Sequence, residues 1–209
     1  DSEDLPLNIS REMLQNNPVV AKIRSALVKR TISDLRKKLS SDRESYETFW
    51  NNFGPVIKEG IYEDFDKKDS ILEISLFKQS ASKKLVTLDE YIEKMPKKQS
   101  YIYFMTGDDY NNILNNPSLE GYKSRNINVL ILDDPVDSFW TSSTPQFKEK
   151  SFKSVTKGLD DFGKIDGKKK DDASKDNKFV DPLVAVLKEQ LKDKVKDVRI
   201  SSRLTDSAV

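Results

Sequence analysis

The stretch LPLNISREMLQ, residues 5–15, sets an arginine directly behind a serine at the predicted start of a helix. Ser10 is suited to the N-cap and Arg11 to the first helical position. A helix N-terminus already favours anions, and a guanidinium placed there adds a planar, permanently charged donor fork. On residue type and position alone, Arg11 either meets a phosphate-like anion or is solvated. The remaining chemistry-bearing patterns are few. The chain has no histidine and no cysteine, which removes the commonest general base, the commonest zinc ligand and all thiol and disulfide chemistry. No Walker-type glycine loop, G-x-S-x-G or H-E-x-x-H occurs. GKIDGKKK, residues 163–170, lacks the spacing and the adjoining strand of a phosphate loop. Asp133 and Asp134 follow a predicted parallel strand, where they either bind Mg²⁺ or cap the next helix, the cap being the ordinary use of such a pair.

Two surface candidates remain. Between Lys22 and Lys38, seven Lys or Arg residues face one acid, Asp34, which predicts a solvated basic helix face or, as the rival, a nucleic-acid-binding scaffold. No interleaved aromatic platform supports base stacking. Phe139 and Trp140 are adjacent on a predicted helix and so cannot point the same way; one can pack while its neighbour meets solvent. Lys plus Arg number 36 and Asp plus Glu 35, so no global field draws in nucleic acid or an anionic membrane. No apolar run is long enough to span a bilayer.

The elements that must position these residues follow from periodicity. Pro18 suits the start of a helix in which Val20, Ile23, Leu27, Leu35 and Leu39 recur at helical spacing. A second helix, about 42–58, has Asp42 as N-cap and an aromatic stripe of Tyr46, Phe49, Trp50, Phe53 and Ile57, expected to be core; Gly54-Pro55 predicts a bend or an end. A third spans about 69–79. Thr87 and Glu90 form a capping box. YIYFMTG (101–107), INVLILDD (127–134) and KSFKSV (150–155) predict three strands with helices between them, a small parallel α/β unit. Residues 156–178 predict a flexible charged connection, and FVDPLVAVLKEQL an amphipathic helix followed by a strand through Val198 and Ile200. The opening without methionine and the close on RISSRLTDSAV predict an internal piece of a larger protein.

SEDLPLNISREMLQNNPVVAKIRSALVKR, FWNNFGPVIKEGIYEDF, VTLDEYIEKM, YIYFMTG, VLILDDPVDSFW and KDVRISSRLTDSAV together resemble, in order, the middle segment of the ninety-kilodalton heat-shock chaperone family in its bacterial form. The resemblance implies an α/β fold class: a helical coil, a small three-layer αβα unit with a short parallel sheet, then the start of an α+β domain. It implies boundaries of 1–15 for a catalytic loop, 16–80 for the coil, 81–155 for the small unit, 156–178 for the linker and 179–209 for the beginning of a dimerisation domain. It also implies that Arg11 reaches the γ-phosphate of ATP held by another domain and that Gln15 belongs to the same loop. In bacterial relatives an acidic residue followed by tryptophan makes client contact; here the aligned pair is Ser138-Phe139, with Trp140 one place later, so the resemblance points to Phe139 and Trp140 as the client-contact residues without the acid. Leu76 stands where relatives tend to have arginine, which predicts a lost polar contact without a changed fold. The expected partners are partly folded client proteins, the N-terminal ATPase domain and a second copy of the parent, with no nucleic acid and no membrane. The expected location is the cytoplasm. No metal or cofactor is expected on these residues themselves, ATP and Mg²⁺ belonging to the parent, and no stand-alone enzyme activity is expected.

Overall fold

A computed structural model describes residues 18–157, 162, 180–192 and 194–198. The chain divides into two compact units at Ser75/Leu76, a few residues before the expected end of the coil at 80.

The first unit is three helices: α1 (Pro18–Ser41), α2 (Arg43–Glu63) and α3 (Lys68–Ile74). Asp42 breaks α1 from α2, its carboxylate accepting the Ser45 N–H at 3.2 Å as expected of an N-cap. Pro55 does not end α2, which runs on to Glu63. The glycine before it has a packing role. A Cβ on Gly54 would sit 2.8 Å from Trp50 Cε2, so the bare backbone makes room for the indole laid along the helix. Of the aromatic stripe, Tyr46 and Trp50 are buried and stacked at 6.2 Å, whereas Phe53 is 54% exposed. A run spaced at three and four residues wraps further round the helix than one neighbouring face can cover. The Tyr46 hydroxyl donates to the Ile74 carbonyl at 2.6 Å, satisfying one of the last acceptors of α3.

Helix α3 ends at Ile74, short of the expected 79. Phe77 instead exchanges backbone hydrogen bonds with Val86, and Lys78–Gln79 becomes strand β1. The apolar run was too short to tell helix from strand by periodicity. The second unit continues through α4 (Leu88–Glu93), β2 (Tyr101–Thr106), α5 (Tyr110–Leu114), a 3₁₀ turn (Pro117–Leu119), α6 (Glu120–Lys123), β3 (Leu130–Leu132), α7 (Asp137–Ser143), β4 (Gln146–Phe147) and β5 (Lys150–Ser154). The Thr87/Glu90 capping box forms in full. The sheet order is β1-β3-β2-β5-β4, with β3-β2-β5 parallel as expected and both two-residue edges antiparallel.

Side chains alternate across β2. Tyr103 and Met105 face a core with Ile113, Leu119, Tyr122 and Ile131. Phe104, on the opposite face, meets Phe152, with which α7 packs. Phe162 belongs to the first of these cores, packing edge-on to Tyr122 at 4.8 Å under the Arg125 guanidinium. That single residue is anchored inside the segment expected to be a solvated connection; the rest of 158–179 lies outside the described residues. Helix α8 (Val180–Leu191) forms as expected, with Leu183, Val186 and Leu187 exposed. Of the expected final strand, Val198 is described and lies in no strand, and Ile200 lies outside the described residues.

Tyr46→Phe tests the α2–α3 joint. Losing the hydroxyl leaves a buried carbonyl short of a donor and costs about 1–2 kcal/mol in urea denaturation. Burial also pushes the Tyr46 phenol up to about 12, against a small opposing effect of Arg43. The native state therefore holds this proton more tightly than the unfolded chain, whose phenol titrates near pH ~10. The contribution is whole below about pH 10 and is lost as pH rises towards 12. Denaturation midpoints measured across that window fall less steeply in Tyr46→Phe than in the parent chain.

Candidate functional site

The described candidate residues meet at α7, on the sheet face that carries Phe104 and Phe152. The helix starts from a turn at the end of β3, DDPVD, residues 133–137. Asp133 does not wait for a metal: its Oδ2 accepts from Lys78 Nζ at 2.6 Å, tying β3 to the edge strand. Nor does either of this aspartate pair cap α7, whose N-cap is Val136, with no side-chain bond. Asp137, the first residue of α7, instead closes the turn ahead of the helix. Its N–H donates to the Asp134 carbonyl at 2.9 Å, and its Oδ2 accepts the Asp134 N–H at 3.1 Å. Among the described residues no group of three or more His, Cys, Asp or Glu side chains is placed to hold a metal.

Asp137 is fully buried, and its other oxygen, Oδ1, accepts the Trp140 indole Nε1–H at 2.6 Å. A buried carboxylate is tolerated only when its lone pairs are occupied, and here an indole and a backbone amide occupy them. Trp140 is itself fully buried, its ring 5.4 Å from Phe152 and 5.9 Å from Phe77. Hiding a ring of that size contributes on the order of 4 kcal/mol at about 25 cal/mol per Å². With the helix rotation fixed by Trp140, the adjacent Phe139 must turn away, and it is 62% exposed. The sequence expectation of two client-facing aromatics thus separates: Phe139 presents its ring to solvent, and Trp140 has no ring surface to offer. An aspartate three residues before a tryptophan on one helix face is the signal that would have identified the pair.

The other candidates are placed differently. Arg11 and Gln15 lie outside the described residues, as does GKIDGKKK. On α1, Arg30 pairs with Asp34 at 2.7 Å, Arg36 with Glu73, and Lys38 with Asp42 at 3.7 Å. These pairs consume part of the local cation excess. Leu76 is fully buried, so the position expected to have lost a polar contact holds a core side chain.

Comparison with known proteins places this geometry. The family described as Hsp90 protein matches residues 1–209. Chaperone protein HtpG of Paramagnetospirillum magneticum is 46% identical over the whole of this chain, and that of Wolbachia sp. subsp. Brugia malayi is 44% identical. The chain spans about a third (34%) of the length of these relatives. The solved middle domain of a Plasmodium falciparum heat shock protein superposes with a TM-score of 0.63 at 29% identity, covering 68% of this chain and 61% of that one.

The division of labour on α7 gives a paired expectation in urea denaturation. Asp137→Ala strands the buried indole N–H and the Asp134 amide, and costs about 2 kcal/mol or more. Phe139→Ala, one turn-face away and exposed, shifts stability by no more than about 0.5 kcal/mol.

Proposed function

The chain belongs to the Hsp90 family, and from that premise we propose that its second unit is a client-contact surface of an ATP-dependent molecular chaperone. The reading is carried by one observation: Phe139 is 62% exposed beside a fully buried Trp140. An aromatic ring held out on a helix that cannot rotate offers apolar area to an unfolded chain without ordering itself first. Partly folded proteins expose apolar side chains and are the partners such a ring suits.

The proposal extends to the segment that precedes α1. Arg11, with Gln15 in the same stretch, completes the ATPase site of the N-terminal domain in the longer protein. A guanidinium supplied from another domain offers two parallel donors to phosphoryl oxygens and stabilises charge on the group in transfer. ATP with Mg²⁺ supplies the phosphoryl chemistry there. The described residues contain no glycine-rich phosphate loop, so nucleotide binding is assigned to the part of the relatives' length that this chain does not cover. In the same reading residues 1–15 form the catalytic loop, 16–80 the coil, 81–155 the small αβα unit, 156–178 a linker and 179–209 the start of a dimerisation domain. The parent is a cytoplasmic homodimer. Among the described residues no helix is long and apolar enough to cross a membrane.

Two measurements test the two halves. Reduced, carboxymethylated lactalbumin, a chain that cannot refold, binds Phe139→Ala about tenfold more weakly than the parent chain, the loss expected for one aromatic contact; unchanged affinity refutes the client role of Phe139. In a full-length protein carrying this chain, Arg11→Ala leaves ATP affinity within a few-fold while turnover falls on the order of 10³-fold. Turnover that survives refutes the role of Arg11.

A further inference from the structure

The second unit gathers cations at one end of its sheet. Because β1 is antiparallel to β3 and the three central strands are parallel, the end of β1 and the starts of β3, β2 and β5 share that end. Lys83 and Lys84 follow β1, Lys94, Lys97 and Lys98 lie between α4 and β2, and Lys150 opens β5. The first five are exposed, and none of them forms an ion pair with a described residue. Of the acids in the same stretch, Asp89 is already paired with Lys148, and the Glu90 carboxylate accepts the Thr87 N–H. Glu93 is the remaining carboxylate between Ser80 and Ser100.

A belt of hydrogen bonds holds these loops in place. Gln79 Nε2 donates to the Lys84 carbonyl at 2.7 Å, and Asn128 Nδ2 donates to Gln79 Oε1 at 2.7 Å. The hydroxyl of buried Tyr91 donates to the Asn128 carbonyl at 2.6 Å and accepts from Gln99 Nε2 at 3.2 Å. Lys150 Nζ donates to the Gln99 carbonyl at 3.4 Å. The lysines therefore project from backbone that is fixed before a partner arrives. Like charges held side by side repel, and that repulsion works against the fold. A partner of opposite sign relieves it. The same end disfavours other partners. None of the exposed large apolar side chains among the described residues lies between Ser80 and Ser100 or in the β4–β5 turn. An unfolded chain or a bilayer has nothing here to bury, and a single-stranded nucleic acid has no ring to stack on. The five exposed cations are all lysine, which lacks the planar fork with which arginine engages phosphate and guanine.

We infer that this end of the sheet is an interaction surface for an Asp/Glu-rich segment of a partner protein, docked by its carboxylates across the Lys83–Lys84 and Lys97–Lys98 pairs. From β1 to β5 the sheet crosses three strand spacings, about 14 Å, which about four or five extended residues cover. A short acidic stretch thus reaches both lysine pairs and Lys150. The surface is separate from the client reading. It offers charge where Phe139 offers a ring, and it selects a partner by sign rather than by unfolding. Attraction of this kind speeds association and weakens as salt rises.

The test uses the whole chain and a labelled peptide of alternating Glu and Asp, with its Gln/Asn counterpart as the neutral control, read by fluorescence anisotropy at low salt. The acidic peptide binds the parent chain at least about tenfold more tightly than the neutral one, and the difference shrinks as salt is raised. Lys97→Glu/Lys98→Glu weakens binding of the acidic peptide about tenfold. Lys97→Gln/Lys98→Gln gives a smaller loss of the same sign and carries the test if the reversal does not fold. Lys22→Glu/Lys29→Glu, an equal reversal on α1, and Phe139→Ala each leave binding within about twofold. Equal binding of the two peptides overturns the inference, as does an α1 reversal that costs as much as the one at Lys97 and Lys98. Displacement of the peptide by an equimolar DNA duplex overturns it in favour of a nucleic-acid surface. None of these results touches the client reading, which stands or falls on Phe139.

Discussion

A single buried bond, from the Trp140 indole N–H to the Asp137 carboxylate, governs the surface of the second unit. The carboxylate is fully hidden and must keep its donors. The indole is fully hidden and must keep its acceptor. Because both lie within one turn of α7, the helix has one rotation that satisfies them. The outward position of Phe139 follows from that rotation. The bond is structural, yet its consequence is an apolar ring, that of Phe139, held outward before any partner arrives. Preorganisation of that kind lowers the cost of binding without adding contacts.

The first unit solves a different problem. Three helices with little apolar content bury few side chains, and Tyr46 supplies both a stacked ring and the hydroxyl that closes the end of α3. Exposed apolar residues remain along α1 and α2, among them Val19, Ile23, Leu27 and Val56. The chain matches about a third of the length of its HtpG relatives, and the Hsp90 family to which it belongs is multi-part by the reading proposed above.

Local rules were legible in the sequence where they are local in physics. The Thr87/Glu90 box, the Asp42 cap and the three parallel strands each rest on a few neighbouring residues or on a strong apolar run. The misreadings have the opposite character. Lys78–Gln79 and Gln146–Phe147 are strands of two residues, the first held by β3, about fifty residues on, and the second by a tight hairpin onto β5, and no two-residue pattern announces itself. Helix α2 runs through Pro55, where the local sequence predicted a bend or an end, its buried face of Tyr46, Trp50, Gly54, Lys58 and Ile61 continuing on both sides of the proline. Phe162 sits among lysines and aspartates yet packs on Tyr122, which composition cannot reveal. At the site, adjacency of Phe139 and Trp140 required that they diverge, but the choice between them needed Asp137 to be recognised as the indole's acceptor.

The most direct measurement of this account is hydrogen exchange of the Trp140 indole proton by NMR, in Trp50→Phe so that one of the two tryptophans remains. The bond to buried Asp137 predicts exchange retarded by orders of magnitude relative to a solvent-exposed indole, opening only with the unit itself. An indole proton that exchanges at the free rate would place Trp140 at the surface, release the rotation of α7, and contradict the assignment of Phe139 as the presented ring.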